Sequence, residues 1–215
     1  MIFINFSVIV GSIVWLGKVF KCSIMKKFFV FVWEITKVVA ISLAIILPVR
    51  YYLIQPFYVK GASMEPNFLD HEYLIIDEIS YRFSVPQRGQ VIVFRYPPNP
   101  QEYFIKRVIG LPGEEVEIKD GQVWIYNTER PDGFILQEDY LSSDVVTNNP
   151  AGGGGRVSVG LGQYYVLGDN RNASKDSRSF GPVNQSFITG KVLVRGWPFD
   201  RAQVFNKEYW PQYSY

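Results

Sequence analysis

The sequence predicts an all-β domain of folded, barrel-like antiparallel sheets that follows one or two N-terminal transmembrane helices. The helices are predicted because residues 1–17 carry no charge and a second apolar stretch runs from residue 28 to about residue 54. The β domain is predicted because short apolar or alternating runs, separated by turn residues, recur from residue 57 onward. The chain therefore divides into a membrane anchor at residues 1–54 and a β-rich domain at residues 55–215.

The composition of the 215-residue chain excludes several classes of protein. Hydrophobic residues make up 47% and aromatic residues 16%, which excludes an intrinsically disordered chain. The net charge of +2 gives no indication of nucleic-acid binding. One cysteine and one histidine can form neither an intramolecular disulfide nor a His/Cys zinc site.

A basic segment separates the two apolar stretches. Residues 18–27 contain four lysines and no acidic residue, and the positive-inside rule places such a segment in the cytoplasm. The second helix then leaves the cytoplasm, so everything after Pro56 lies on the extracytoplasmic side. Glu34 and Lys37 interrupt this helix at a spacing of three residues, which lets them pair on one face.

The number of membrane spans stays open. Residues 1–17 are at the lower limit for a span, since roughly 20 residues cross a ~30 Å hydrocarbon core. A cleaved signal peptide is an alternative for this stretch, but no small-residue cleavage pattern precedes Lys18. A start at Met25 would leave the second stretch as a single anchor. All of these alternatives give the second stretch the same orientation.

Seven runs in the C-terminal part have the length and pattern of strands. They are residues 73–76, 91–96, 103–109, 116–119, 123–126, 164–167 and 191–194. Residues 128–163 are poorer in pattern and contain four consecutive glycines at 152–155. No Lys-Ser or Lys-Thr pair and no helical pattern follows these glycines, so we interpret them as a flexible loop and not as a phosphate-binding loop.

The first segment that can carry chemistry runs from Gly61 to Pro66, shortly beyond the second apolar stretch. Ser63 follows two small residues in this segment, and Pro66 fixes the direction in which the chain leaves. This pattern suits an exposed hydroxyl that a peptide backbone must approach closely. Taken alone, the pattern also fits an ordinary loop serine.

The second segment is the run at residues 103–109. Side chains alternate along a strand, so Lys106 shares a face with Phe104 and Val108, and Arg107 lies on the opposite face. If that face is buried, desolvation lowers the pKa of Lys106 from its usual value of about 10.4 and makes the amine a base near neutral pH. An edge-strand lysine that points into water is the alternative.

The third segment, residues 168–178, directly follows the apolar run at 164–167. It contains two serines, and Asp176 can form an ion pair with Arg178 that leaves Ser174 to hydrogen-bond elsewhere. A polar surface turn is the alternative interpretation. A fourth segment, residues 88–94, is a turn that leads into a core strand, and we interpret it as structural.

Together these segments indicate nucleophilic catalysis without histidine. A serine hydroxyl needs an adjacent base. The only histidine, His71, lies between Asp70 and Glu72 in what we interpret as a polar turn. A Ser-Lys pair needs only a neutral lysine within hydrogen-bond distance of the serine.

In their order after an N-terminal anchor, the four segments resemble those of type I signal peptidases, in patches from about residue 55 to residue 199. The resemblance implies an all-β catalytic core and a second, more variable β-rich region at about residues 114–162. It implies a serine endopeptidase in the cytoplasmic (inner) membrane, with its catalytic domain on the extracytoplasmic face. Its partners would be the lipid bilayer and exported pre-proteins with small residues before the cleavage site, in an Ala-X-Ala pattern. No metal, other cofactor or nucleic acid is implied.

The resemblance also implies a role for individual residues. Ser63 matches the nucleophile, which forms an acyl-enzyme, and Lys106 matches its general base. Ser174 matches a serine that hydrogen-bonds to the lysine amine and orients it. Asp176 and Arg178 match a charged pair that supports this part of the site. The residues that match structural positions beside the nucleophile are Met64 and Pro66.

The sequence departs from the family pattern in three places. Many members have a serine as an oxyanion-hole donor at the position of Gly61, so only the backbone N–H of Ser63 is expected as a donor and the second donor stays open. His71 stands where relatives often have glycine, which argues against a catalytic role for it. The loop at residues 148–156 has no counterpart that we can match.

Two rival functions stay open at this point. One is another Ser-Lys peptidase of related fold, such as a self-cleaving repressor, but the membrane segments and the lack of a helix-turn-helix pattern argue against it. The other is a catalytically inactive, membrane-tethered β domain that only binds peptides. Cleavage of a detergent-solubilised pre-protein by the purified chain separates these functions.

Overall fold

The computed structural model describes residues 6–48, 54–149, 155–206, 209–211 and 213. Two compact units are present, residues 1–50 and residues 51–215. The glycines at 152–154, which the sequence places in a flexible loop, lie outside the described residues.

The described residues of the first unit form one helix, α1 (Phe6–Pro48). The helix runs without a break through the basic segment at residues 18–27, because lysine is a good helix former and neither glycine nor proline occurs between Lys18 and Leu47. Within α1, the 22 residues Lys26–Leu47 are long and apolar enough to cross a membrane, with a mean hydropathy of 2.2. Lys37 Nζ lies 2.8 Å from Glu34 Oε1, which is the pairing that their spacing predicts.

The described part of the second unit is built from short strands. They are β1 (Ile54–Tyr58), β2 (Tyr73–Asp77), β3 (Val91–Arg95), β4 (Tyr103–Gly110), β5 (Glu115–Lys119), β6 (Gln122–Tyr126), β7 (Phe134–Ile135), β8 (Val157–Ser158), β9 (Gln163–Leu167), β10 (Val183–Asn184), β11 (Ile188–Trp197) and β12 (Gln203–Val204). A four-residue helix, α2 (Ser177–Phe180), follows β9. Short 3-10 helices occupy Ser80–Arg82, Gln185–Phe187 and Phe199–Arg201. Each of the seven predicted runs coincides with a strand.

Two antiparallel sheets result from the pairing of these strands. The larger sheet has the order β1-β2-β11-β3-β4-β9-β10, with β12 beside β11, and the smaller sheet has the order β7-β6-β5-β8. Neither sheet closes into a barrel. The mainly antiparallel β fold with an N-terminal apolar helix is therefore confirmed, and its sheets are open ones.

The larger sheet brings the chemically interesting segments together. In its centre β4 pairs with β3, where Lys106 is opposite Ile92, and with β9, where Arg107 is opposite Leu167. The loop after β9 therefore begins beside the middle of β4. At the other side of the sheet, the chain between β1 and β2 forms the loop that contains Ser63.

The hydrophobic core fixes that loop. Met64 and Phe68 are fully buried in a cluster with Leu74 and Ile76 of β2. Burial of two large side chains in the loop stabilises its backbone on either side, by about 1.5–3 kcal/mol for each side chain. Ser63 is thus attached directly to a core residue although it lies in a loop.

Candidate active site

Ser63 and Lys106 are in direct contact. The amine Nζ of Lys106 donates a hydrogen bond to Ser63 Oγ at 2.7 Å and a second one to the carbonyl oxygen of Ile105, also at 2.7 Å. Lys106 lies on β4 and is only 3% exposed, so its amine is held in one place by both the strand and the protein around it. This distance is short enough for direct proton transfer between the two groups.

Burial changes the basicity of Lys106. Desolvation lowers the pKa of its amine from 10.5 to about 8, and the negative charges of Asp176 and Asp169 act in the opposite direction. The amine lies 5.4 Å from the centre of the Phe104 ring, the neighbour that strand alternation predicts on the same face. A lysine with this pKa is partly neutral at neutral pH and can accept a proton.

The backbone around Ser63 is also held in place. Its carbonyl oxygen accepts a hydrogen bond from the N–H of Asn170 at 3.1 Å. In the same loop, the N–H of Phe68 donates to the carbonyl oxygen of Met64 at 2.9 Å. The N–H of Ser63 makes no hydrogen bond with any residue that the structure describes. This N–H is therefore available to a bound substrate oxygen.

Gly61 has a backbone conformation that favours glycine. Its φ angle is +90°, and a Cβ atom placed there would meet no other atom within 4 Å. The conformation of the chain, and not lack of space, is thus the reason for a glycine at this position. Its N–H donates to Asp70 Oδ1 at 2.8 Å, so Gly61 offers neither a side chain nor that N–H as the second oxyanion donor.

Ser174 lies beside the nucleophile but does not bond to Lys106 in this structure. Its hydroxyl is buried and has no hydrogen-bond partner among the residues that the structure describes. A Cβ atom on Gly168 would overlap both Ser174 Oγ and the carbonyl oxygen of Ser63, so the three residues pack closely. The orienting role that the resemblance implies for Ser174 stays a prediction.

Asp176 and Arg178 form a buried ion pair. Arg178 donates from Nε and Nη2 to the two carboxylate oxygens of Asp176, at 2.8 and 2.7 Å. Asp176 also caps α2 and accepts a hydrogen bond from the N–H of Gly168 at 3.0 Å, and Arg178 donates to the carbonyl of Asn148 at 2.9 Å. The pair therefore fixes both ends of the turn that carries Ser174.

A second buried pair was missed by the sequence reasoning. Arg107 donates to both carboxylate oxygens of Asp169, at 2.8 and 2.6 Å, and Asp169 in turn accepts a hydrogen bond from Asn67 at 2.9 Å. These contacts tie together β4, the loop after β9 and the loop that contains Ser63. The available signal was an arginine on the face opposite Lys106 and an aspartate directly after an apolar strand.

His71 lies outside this arrangement. Its side chain is 72% exposed and its Nε2 lies 3.3 Å from Asp70 Oδ2, while its other ring nitrogen contacts the Tyr58 hydroxyl. Among the described hydrogen bonds, none joins it to Ser63 or Lys106. Its φ of +67° lies in the left-handed region, which glycine adopts more readily than residues with a side chain.

A cavity of about 540 Å³ opens beside Ser63 and Lys106. One wall consists of residues 57–63 and the facing wall consists of residues 102–106. Most of the lining is apolar, and charged side chains are contributed by Lys60, Glu102 and Lys175 in addition to Lys106. Such a groove between two extended segments can hold a peptide in an extended conformation.

The chain is similar to known proteins over most of its length. The family model described as "Signal peptidase, peptidase S26" matches residues 32–197. A relative named "Probable signal peptidase I-2", from Synechocystis sp., is 36% identical over 180 residues, which is 81% of this chain and 78% of the relative. A relative named "Signal peptidase IB", from Staphylococcus aureus, is 33% identical over 182 residues, which is 79% of this chain and 92% of the relative.

Among solved structures, the chain is similar to a signal peptidase I from Enterococcus faecalis V583. The sequence identity is 38%, the match covers 50% of this chain and 97% of the solved one, and the TM-score is 0.41.

Proposed function

The chain belongs to the signal peptidase family, peptidase S26, and we propose that it removes signal peptides from exported pre-proteins with Ser63 as nucleophile and Lys106 as general base. The observation that carries this proposal is the 2.7 Å contact between Lys106 Nζ and Ser63 Oγ. It is supported by the burial that lowers the pKa of Lys106 to about 8.

The first half of the reaction forms an acyl-enzyme. Neutral Lys106 takes the proton of the Ser63 hydroxyl while Oγ attacks the carbonyl carbon of the scissile peptide bond. The negative charge that develops on the carbonyl oxygen is stabilised by the free N–H of Ser63. The intermediate then collapses, the C–N bond breaks, and Lys106 gives its proton to the leaving amine of the mature protein.

The second half releases the signal peptide. Lys106, neutral again, takes a proton from a water molecule that attacks the ester carbonyl. The ester bond to Ser63 Oγ breaks, Oγ regains a proton from Lys106, and the signal peptide leaves with a free carboxylate. Each half thus uses the same base, and Lys106 ends in its starting state.

The kind of substrate that we propose follows from the shape and lining of the cavity. In the described part of the chain, β1 pairs with β2 alone, so its outer edge offers unpaired backbone groups to an added strand. The apolar lining suits the apolar end of a signal peptide, and we propose that small residues before the cleavage site allow the backbone to approach Ser63 closely. The precursor would therefore present an Ala-X-Ala segment to the groove.

Two features, one in each unit, agree with a location of this protein at the membrane surface. Residues 26–47 can span a bilayer. In the second unit, two pairs of aromatic side chains are exposed. The ring centres of Tyr58 and Tyr73 are 5.0 Å apart, and those of Trp197 and Phe199 are 4.8 Å apart. Aromatic side chains of this kind are enriched at membrane interfaces.

We base the proposed orientation of the membrane helix on the lysines at residues 18–27. By the positive-inside rule, this segment lies on the cytoplasmic side of the inner membrane. Cys22 is the only cysteine and reports on this segment. In intact cells, a membrane-impermeant thiol reagent should leave Cys22 unlabelled, while external protease digests the C-terminal part. A labelled Cys22 would contradict this orientation.

The function itself is tested with the purified full chain and a detergent-solubilised pre-protein. We expect cleavage at a single bond after an Ala-X-Ala segment, and no cleavage by Ser63→Ala. Mass spectrometry of the products locates the bond. Binding of the pre-protein without cleavage by the native chain would contradict the proposal and favour a peptide-binding domain.

A further inference from the structure

A buried carboxylate lies behind the loop that contains Ser63. The side chain of Glu72, directly before β2, is 1% exposed and lies between two guanidinium groups. Its Oε2 is 3.0 Å from Arg195 Nε, and its Oε1 is 3.3 Å from Arg201 Nε. Arg195 belongs to β11 and Arg201 to the 3-10 helix that follows it. Glu72 therefore connects the start of β2 with the segment that contains both arginines, which is distant from it in sequence.

Both arginines reach the loop. Arg195 Nη2 donates to the carbonyl oxygen of Asn67 at 2.6 Å. Arg201 Nη2 donates to the same oxygen at 3.2 Å and to the carbonyl oxygen of Pro66 at 3.3 Å. Two guanidinium groups therefore hold two consecutive carbonyls, three and four residues after Ser63.

The opposite side of the loop is held by the segment after β9. The N–H of Asn170 donates to the Ser63 carbonyl at 3.1 Å, and the side-chain amide of Asn67 donates to Asp169 Oδ2 at 2.9 Å. The loop is thus fixed on one side by residues next to the turn of Ser174 and on the other by the arginines. Its position relative to β4, and hence the position of Ser63 Oγ relative to Lys106, depends on both.

The charge of Glu72 is what allows two arginines to lie so close together. Neither carboxylate oxygen is aligned for a hydrogen bond to the guanidinium nitrogen beside it, so the attraction is mainly between the charges. Burial and the nearby charge of Arg201 lower the pKa of Arg195, and the charge of Glu72 opposes this effect. Without the carboxylate, the buried guanidinium of Arg195 and the partly exposed one of Arg201 would repel each other.

We propose that Glu72, Arg195 and Arg201 are positioning residues that hold Ser63 at hydrogen-bond distance from Lys106. The proposal rests on the proposed function. It assigns no chemical step to the three residues, because none of them lines the cavity: the two arginines contact the carbonyls of Pro66 and Asn67, and Glu72 contacts the arginines. A small displacement of the loop would lengthen the contact between the nucleophile and its base, to which the rate is sensitive.

The test compares Glu72→Gln and Arg201→Ala with the native full chain. We expect kcat for signal-peptide cleavage to fall roughly 10-fold or more in both variants, while KM changes little, since the groove keeps its lining. The pKa of the ascending limb of kcat/KM should stay in place, because burial in β4 and the charges of Asp176 and Asp169, which set the pKa of Lys106, do not change. Arg201→Lys keeps the positive charge but not the planar guanidinium group, so its kcat should lie between those of Arg201→Ala and the native chain.

A matched control separates positioning from stability. Glu114→Gln breaks a different buried ion pair, in which Arg88 Nη2 lies 2.5 Å from Glu114 Oε1, while Glu114 Oε2 accepts a hydrogen bond from the N–H of Leu111 at 2.8 Å. This variant should unfold at a lower temperature but keep the native kcat well below that temperature. The side chain of Arg201 is 29% exposed, so Arg201→Ala remains informative if Glu72→Gln does not fold.

If the native chain cleaves the pre-protein and folded Arg201→Ala cleaves it at the native kcat, the positioning role is wrong while the proposed function stands. The positioning role would also be wrong if the activity lost by Glu72→Gln and Arg201→Ala were fully accounted for by the fraction of unfolded protein, as expected for Glu114→Gln. A native chain that cleaves nothing overturns the proposed function instead.

Discussion

Lys106 Nζ lies 2.7 Å from Ser63 Oγ, and each group is held by contacts of its own. The amine also donates to the Ile105 carbonyl of its own strand. The serine follows β1 in a loop that is anchored by the fully buried Met64. Because both side chains are fixed before any substrate binds, little reorganisation is needed at the moment of reaction.

Removing either member of this pair should abolish cleavage. We expect Ser63→Ala and Lys106→Ala each to lose activity, and the double variant to be no worse than either single one, because the two groups act as a unit. Lys106→Arg should fail as well, since a guanidinium stays protonated at working pH. Product formation and thermal unfolding are measured for all four proteins. Appreciable turnover by Ser63→Ala would contradict the assignment.

Strand periodicity predicted one part of this site correctly. The alternation of side chains placed Lys106 on the face of Phe104 and Val108, and the amine lies 5.4 Å from the Phe104 ring centre. The contact between Lys106 and Ser63 was expected from the lack of a suitable histidine base and from the resemblance to a family, and not from periodicity. Periodicity describes one strand at a time and does not say which loop lies beside it.

The long-range ion pairs could not be predicted for the same reason. Arg195 meets Glu72 because β11 inserts between β2 and β3, and Asp169 meets Arg107 because β9 pairs with β4. Strand order in the sheet is a property of the whole fold. At position 61 the sequence left two reasons for a glycine, close approach of a backbone or a positive φ, and the observed φ of +90° agrees with the second.

Substitutions at Gly61 should separate conformation from chemistry. We expect Gly61→Ala and Gly61→Ser to lower the free energy of unfolding by about 1 kcal/mol or more, because a φ of +90° is unfavourable for both residues. Gly61 lines the cavity, so a hydroxyl there can act as the second oxyanion donor, and kcat of Gly61→Ser should exceed that of Gly61→Ala. Equal kcat values would mean that the hydroxyl does not reach the oxyanion.

Gly168 is constrained by packing. A Cβ atom there would overlap Ser174 Oγ and the Ser63 carbonyl, so Gly168→Ala should displace the Ser63 backbone and reduce both kcat and stability. Gly155→Ala is the control, because a Cβ atom at that position meets nothing within 4 Å. Steady-state kinetics and thermal unfolding of the two variants test this expectation. A Gly168→Ala protein with native kcat would show that the loop tolerates displacement.

The charge of Asp176 should be visible in the pH dependence of the reaction. Its carboxylate raises the pKa of Lys106 against the larger effect of burial, so Asp176→Asn should move the ascending limb of kcat/KM to lower pH. Loss of one partner of its buried pair with Arg178 should also destabilise the protein by about 3–5 kcal/mol. Rates are therefore measured at low temperature, with the exposed Asp132→Asn as control. An unchanged or upward-shifted limb would contradict the coupling.

The most direct test of the Ser-Lys mechanism is the pH dependence of kcat/KM for the native chain and for His71→Asn. If neutral Lys106 is the base, kcat/KM rises with pH through the pKa of that amine, about 8. His71→Asn should keep both the activity and the same ascending limb, because His71 is exposed and bonded to neither Ser63 nor Lys106 in the described structure. An ascending limb near the usual histidine pKa of about 6.5, lost together with activity in a folded His71→Asn protein, would contradict the assignment of Lys106.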